Sequence, residues 1–168
     1  MAHDFRSLTP RDLKLVGRWL AEPHVRQWRG DPGAQLERIA AALDNDAIEP
    51  MIAEHQGKAF AYVEACDPHL EDGHPFEDQP TGTLCIDFFI GEPAMLRQGH
   101  GAGLLAGLSQ MYFEEGAPRL VAGPDARNTA AISTCRKAGF IEEGLRELPS
   151  GPAMLLALNN DELLKEAE

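Results

Sequence analysis

No apolar run in this chain of 168 residues approaches the roughly 18 that would span a bilayer, so no membrane helix is expected. The opening Met-Ala-His-Asp-Phe-Arg lacks a basic stretch followed by an apolar one, so no secretory leader is expected either. Cysteine is scarce and odd in number. Cys66, Cys85 and Cys135 stand too far apart for a disulfide framework and point to a reducing cytoplasm. Basic residues are the next shortage, 15 Lys and Arg against 27 Asp and Glu. The resulting net charge of −12 disfavours nucleic acid and anionic membrane as partners and favours cationic ligands. Between Ala59 and Leu96 there is no Lys or Arg at all, while Glu64, Asp67, Glu71, Asp72, Glu77, Asp78, Asp87 and Glu92 all fall there. That stretch reads either as a solvated acidic loop or as an electrostatic funnel for a positively charged substrate.

With 43% apolar and 25% charged residues, the chain has a globular composition and the length of one domain, residues 1–168. Phe5 to Leu8 is a short strand. Thr9 caps a helix begun by Pro10, with Leu13, Val16, Trp19 and Leu20 at helical spacing and Pro23 expected to end it. A second helix runs over 34–43. Strands over 51–54 and 59–65 turn at Gln56-Gly57, and a polar connection follows from Cys66 to Gly82. Thr83 to Ile90 is the strongest strand, nearly all apolar, interrupted by Asp87. A helix through Leu104, Leu105, Leu108 and Tyr112, a strand over 119–122, a helix over 128–138, strands over 140–142 and 153–158, and a helix begun near Asn160 complete the chain. The order β-α-α-β-β-β-α-β-α-β-β describes an α/β (α+β) domain with a mixed sheet.

Between the strongest strand and the following helix lies Gln98-Gly99-His100-Gly101-Ala102-Gly103. A helix N-terminus offers unpaired N–H groups, and glycines let a pyrophosphate approach the backbone. No Lys-Ser/Thr follows, which excludes a P-loop. A dinucleotide fold would place its glycines after the first strand of a βαβ unit, which this cluster does not follow.

Gln-x-x-Gly-x-Gly opening a helix after a long central strand resembles the acetyl-CoA site of the GCN5-related N-acetyltransferases. Downstream, Asn128-x-x-Ala131-x-x-x-Cys135-x-Lys137-x-Gly139-Phe140 is similar to that family's Asn-x-x-Ala-x-x-x-Tyr-x-Lys-x-Gly-Phe segment. Trp19-Leu20 and His24-Val25-Arg26-Gln27-Trp28 look like the opening of the branch that holds aminoglycoside 6′-N-acetyltransferases and siderophore hydroxylysine acyltransferases. Ile86-Asp87-Phe88-Phe89-Ile90-Gly91 resembles the aminoglycoside group, while Tyr62-Val63-Glu64 has some likeness to the siderophore group.

The resemblance implies a mostly antiparallel central sheet flanked by helices, acetyl-CoA as co-substrate, and a small cationic amine as acceptor. It implies direct attack of the amine on the thioester in a ternary complex, in a monomer or homodimer. Backbone groups at Phe89, Ile90 and Gly91 would face the thioester carbonyl, and Gln98, Gly99, His100, Gly101, Ala102 and Gly103 would hold the pyrophosphate. Asn128 would anchor the pantetheine side or the next helix, Lys137 would belong to the cofactor site, and Trp28 and Glu64 would line the acceptor pocket. Asp87 is the best candidate for holding the acceptor ammonium, its other reading being a buried acid satisfied by neighbouring donors or a structural Arg. Cys135 departs from the family Tyr that protonates the leaving thiolate. It is either a weaker proton donor or a small apolar helix residue. Arg29 follows Trp28 where some members have a second Trp. Cys66-x-x-His69 with His74 lacks the other half of a metal site, so no metal is expected. A non-catalytic acyl-CoA-binding module is the rival outside enzymes.

Overall fold

The computed structural model describes residues 2–163. In chain order the elements are β1 (Asp4–Ser7), α1 (Leu13–Leu20), α2 (Pro23–Arg29), α3 (Pro32–Ala42), β2 (Ile48–His55), β3 (Lys58–Cys66), β4 (Leu84–Ile90), α4 (His100–Glu114), β5 (Arg119–Ala122), α5 (Thr129–Lys137), β6 (Ile141–Leu148) and β7 (Gly151–Asn159). The strands form one sheet in the order β1-β2-β3-β4-β5-β7-β6. Every neighbouring pair is antiparallel except β4 with β5.

One helix more than expected stands near the start. Pro23 begins α2 instead of ending the helical run, because its missing N–H is no loss in a first turn. Glu22 before it is extended, ψ 135°, as the residue preceding proline prefers, and this breaks the chain between α1 and α2. Trp28 therefore lies inside a helix, not in the polar loop that the sequence suggested. β6 is longer than expected: it is an edge strand with almost every residue exposed, so it carries no apolar alternation to read. Asn160 Oδ1 accepts from the Leu163 N–H at 3.3 Å, opening a helical turn; the rest of the C-terminal helix expected there lies outside the described residues.

The sheet has a core on each face. On one, α4 and α5 bury Leu104, Leu105, Leu108, Ile132 and Cys135 against Ala61, Val63, Ile86 and Leu156. On the other, Val16, Trp19, Leu20 and Ile39 from α1 and α3 pack on Ile52, Tyr62 and Phe89. Each strand feeds both cores by its period of two, so residues of β3 and β4 with the parity of Tyr62 and Phe89 face α1–α3. The acidic connection after β3 is docked rather than loose. Phe76 is buried with Val121, Leu155 and Ala157, and Arg146 donates to both Asp78 carboxylate oxygens at 3.2 and 2.5 Å.

β4 and β5 pair only at Leu84–Leu120 and Cys85–Val121. Beyond them β4 continues to Ile90 without a partner on that side, so the two strands splay and leave a gap at the carboxyl end of β4.

Candidate active site

The first turn of α4 sits over the end of β4: a Cβ on Gly101 would come within 3.7 Å of Ile90 Cδ1. Gly99 precedes the helix at φ 82°, ψ 3°, a left-handed conformation that glycine adopts without penalty. Its carbonyl accepts from the Gly103 N–H at 3.1 Å, and a helix start of this kind leaves the N–H groups of His100, Gly101 and Ala102 without intrahelical partners. Such a set of N–H groups at a helix start is suited to an anion. Gln98 steadies the approach by donating from Nε2 to the Ala94 carbonyl at 2.6 Å. The other glycines serve packing rather than ligand approach. A Cβ on Gly101 would lie 2.9 Å from Thr134 Cγ2 of α5, and one on Gly103 would lie 2.7 Å from His3 Cε1. The His100 side chain turns inward to meet His3. α5 is held beside this turn; Asn128 caps it by accepting from the Ala131 N–H at 3.1 Å, and Lys137 is exposed at its far end.

Along β4, the antiparallel ladder with β3 turns alternate peptide groups toward and away from β3. The Phe60 carbonyl accepts from the Gly91 and Glu92 N–H groups at 2.8 and 3.2 Å, so Gly91 offers no free donor. The alternation points the Phe88 and Ile90 peptide groups into the gap. Two residues of α2 reach their carbonyls: Arg29 Nη2 donates to Phe88 at 2.6 Å and His24 Nε2 donates to Ile90 at 2.8 Å. The Phe89 side chain is buried in the α1–α3 core.

Glu64 and Asp87 are register partners on the α1–α3 face. Arg29 donates to both Asp87 oxygens at 2.5 and 2.8 Å, and its guanidinium lies 5.1 Å above the Phe89 ring. Arg38 of α3 donates to Glu64 Oε1 at 2.8 Å, and Tyr62 donates to the same oxygen at 3.4 Å. Glu64 is buried, whereas the Asp87 side chain keeps 47% of its exposure and opens toward solvent. Partial desolvation pushes the Asp87 carboxyl up, but the charge and hydrogen bonds of Arg29 outweigh it and hold it below the ordinary value. Burial, with the nearby Asp87 charge adding to it, moves Glu64 the other way. Two carboxylates and two guanidiniums thus interlock at the base of α2 and α3. The sequence allowed a structural Arg for Asp87 without naming it, and it showed Arg29 and His24 only as members of a segment; their partners lie 58 and 66 residues away, and Arg38, whose partner lies 26 away, gave no signal.

A model of the acetyltransferase (GNAT) domain matches residues 9–148. The chain belongs to the GNAT acetyltransferase family. It is an N-acetyltransferase, with acetyl-CoA as its co-substrate. Among curated proteins it is 26% identical over 160 residues to an aminoglycoside N(6′)-acetyltransferase type 1 of Klebsiella pneumoniae, covering 90% of this chain and 80% of that one. It is 24% identical to the lysine N-acyltransferase MbtK of Mycobacterium sp. (strain MCS), covering 88% of this chain and 62% of the relative. A solved structure of AAC(6′)-Ib in complex with paromomycin and acetyl-CoA superposes with a TM-score of 0.88 at 23% identity, covering 100% of this chain and 99% of that one. The GNAT sheet and helices expected from the sequence are thus present, with α2 added.

The residue that departs from the GNAT pattern, Cys135, is 1% exposed and packed with Ile132 and Phe140. Burial pushes its thiol up to about 12. Its place is that of an apolar helix residue, and the geometry gives no support to a proton-donor role. Tyr62 and Tyr112 are buried packing residues. His69 stands apart from the nearby Cys66, Glu71 and His74 and pairs with Asp67 at 3.6 Å. Among the described residues, no helix is long and apolar enough to cross a membrane.

Proposed function

We propose that this chain transfers the acetyl group of acetyl-CoA directly to a primary amine of a small cationic molecule, of the aminoglycoside class, in a ternary complex. The observation that carries this reading is the half-open Asp87 carboxylate beside the unpaired edge of β4, one strand end away from the anion site of α4. The pyrophosphate rests on the N–H groups of His100, Gly101 and Ala102, flanked by Gln98, Gly99 and Gly103, with Asn128 holding α5 beside this turn and Lys137, at the far end of α5, taking no part. The pantetheine runs along β4 at Phe88 to Ile90. Gly91 takes no part as a donor, since its N–H is engaged, and it serves by packing.

Asp87, held anionic, positions the acceptor ammonium and is too weak a base to be its main proton acceptor. The ammonium first loses a proton to solvent. Its nitrogen lone pair then attacks the thioester carbonyl carbon, the adduct gives up its extra N–H proton to water, the C–S bond breaks to leave the neutral amide, and the thiolate takes up a proton from water. Arg29 swings off Asp87 as the ammonium arrives, with Trp28 beside it as the wall and Glu64 held by Arg38 behind. The kinship with an aminoglycoside 6′-N-acetyltransferase supports this acceptor class.

Arg29 also favours a second reading. A guanidinium in the acceptor wall suits an amine that carries a carboxylate, as lysine and hydroxylysine do, and one relative is a lysine N-acyltransferase. Release of CoA thiol from acetyl-CoA, measured with kanamycin-like aminoglycosides, spermidine, N6-hydroxylysine and no acceptor, separates the two. Turnover on aminoglycosides that falls in Asp87→Asn supports the first reading. Preference for hydroxylysine moves the chain to the second, and tight acetyl-CoA binding without turnover on any amine overturns both.

A further inference from the structure

Three histidine side chains that acetyl transfer does not use meet behind the first turn of α4. His3 precedes β1, His55 ends β2 and His100 opens α4, and one ligand nitrogen of each lies within 4.8 Å of the other two. The ring centroids stand 5.3 Å apart for His3–His55, 5.4 Å for His3–His100 and 4.7 Å for His55–His100. Phe60 closes one side, with its ring 5.4 Å from His3 and 5.6 Å from His100.

The hydrogen bonding inside the cluster is incomplete. His3 Nε2 and His100 Nδ1 lie 3.1 Å apart and share one proton. His3 Nδ1 is buried with no hydrogen-bond partner. His55 Nδ1 donates to the Ala2 carbonyl at 3.0 Å, which fixes the tautomer and leaves Nε2 with its lone pair free.

The dimensions fit. Zinc–nitrogen bonds of about 2.0–2.1 Å at a tetrahedral centre place neighbouring nitrogens roughly 3.3 Å apart. The His3–His100 pair is already at 3.1 Å, and a small rotation of His55 brings in the third nitrogen. A cleft of about 640 Å³ between the chain start and α4, lined by His3, Phe5 and Gly103, gives an ion its approach. Gly103 is needed here as well, since a Cβ would collide with the His3 ring.

We propose that His3, His55 and His100 form a binding site for a divalent transition-metal ion of the zinc class, with the fourth position taken by water. The ion ties the start of the chain and the end of β2 to the first turn of α4, and it takes no part in acyl transfer. The second group of ligand types, Cys66, Glu71 and His74, is a poorer site. His74 Nδ1 already accepts from the Phe76 N–H at 3.0 Å, Glu71 accepts from Asn45 at 3.2 Å, and burial pushes the Cys66 thiol up to about 12.

The test uses untagged full-length protein stripped with a chelator and titrated with Co²⁺ and Zn²⁺. Co²⁺ should give one equivalent of a visible tetrahedral spectrum with no thiolate charge-transfer band. Zn²⁺ at 100 times its Kd should raise the thermal midpoint by about 5–10 °C. His55→Ala and His3→Ala should each weaken binding by more than about 100-fold, and His74→Ala should leave it unchanged. Circular dichroism checks that the variants fold. Should His55→Ala not fold, His3→Ala decides, because its side chain lies ahead of the first strand. Absence of metal uptake by the wild-type chain, undiminished uptake in a folded His3→Ala, or a thiolate band lost in His74→Ala would each overturn the proposal.

Discussion

Glu64 and Asp87 face each other across β3 and β4, and each is answered by an arginine from a different helix, Arg38 from α3 and Arg29 from α2. Two adjacent carboxylates repel unless cations intervene, so the arginines make the pair tenable inside a −12 chain. They also leave the four-residue cluster without net charge.

Arg29→Ala therefore separates two acceptor classes. It leaves Asp87 uncovered, so the KM for polycationic amines should fall by about tenfold, the size of one charge-assisted hydrogen bond. For an acceptor bearing a carboxylate the KM should rise by a similar factor. Steady-state kinetics on spermidine, kanamycin and N6-hydroxylysine read both, and an unchanged KM for all three would mean that Arg29 does not touch the acceptor.

Gly91 holds its position for a steric reason. A Cβ there would lie 2.1 Å from Trp19 Cγ and Cδ2, and the indole is anchored by its Nε1, which donates to Glu92 Oε1 at 2.9 Å. Gly91→Ala should cost about 3 kcal/mol, an overpacking penalty, measured by urea unfolding. Acetyl-CoA affinity should fall with it, since the displaced backbone leads from β4 into α4. A loss under about 0.5 kcal/mol would mean that the indole yields freely.

Asp12 gives the fold a predictable acid limit. Its carboxylate accepts from Arg6 at 2.8 and 2.9 Å, from the Thr9 N–H at 2.8 Å and from the Thr9 hydroxyl at 3.1 Å, closing the cap of the first helical turn. The hydrogen bonds from Arg6 lead in holding it below the ordinary carboxylate value. An acid with a depressed folded value contributes stability above its unfolded pKa, near 4, and loses it as the pH falls through the folded one. Asp12→Asn should lower stability by about 2 kcal/mol at pH 7, reduced from a fully buried pair because Arg6 is partly exposed. The difference from wild type should narrow below pH 4. A constant difference down to pH 2 would show that the charge is not what matters.

Much of this was legible along the chain. Gln98 to Gly103 announced the start of α4, because a helix start is set by consecutive local residues and needs no distant partner. Thr9, Pro10 and Asp12 announced the first helical turn for the same reason. Thr83 to Ile90 read as the strongest strand from its nearly continuous apolar run, and β4 occupies Leu84–Ile90 of it. α2 was hidden because Pro23 serves equally as a stop and as a first helical residue, and β6 was hidden because an exposed edge strand leaves no period to see.

The sequence by itself determined the family, the cofactor-side motif and the candidacy of Asp87, since those rest on short segments whose geometry is local. Only the tertiary structure decided what Asp87 touches, where the Cys135 thiol lies and which glycines answer to packing. It alone brought His3, His55 and His100 together. Charge pairing, burial and ligand clusters depend on distances in space, and strand register and helix docking fix those distances between residues that the chain keeps tens of positions apart.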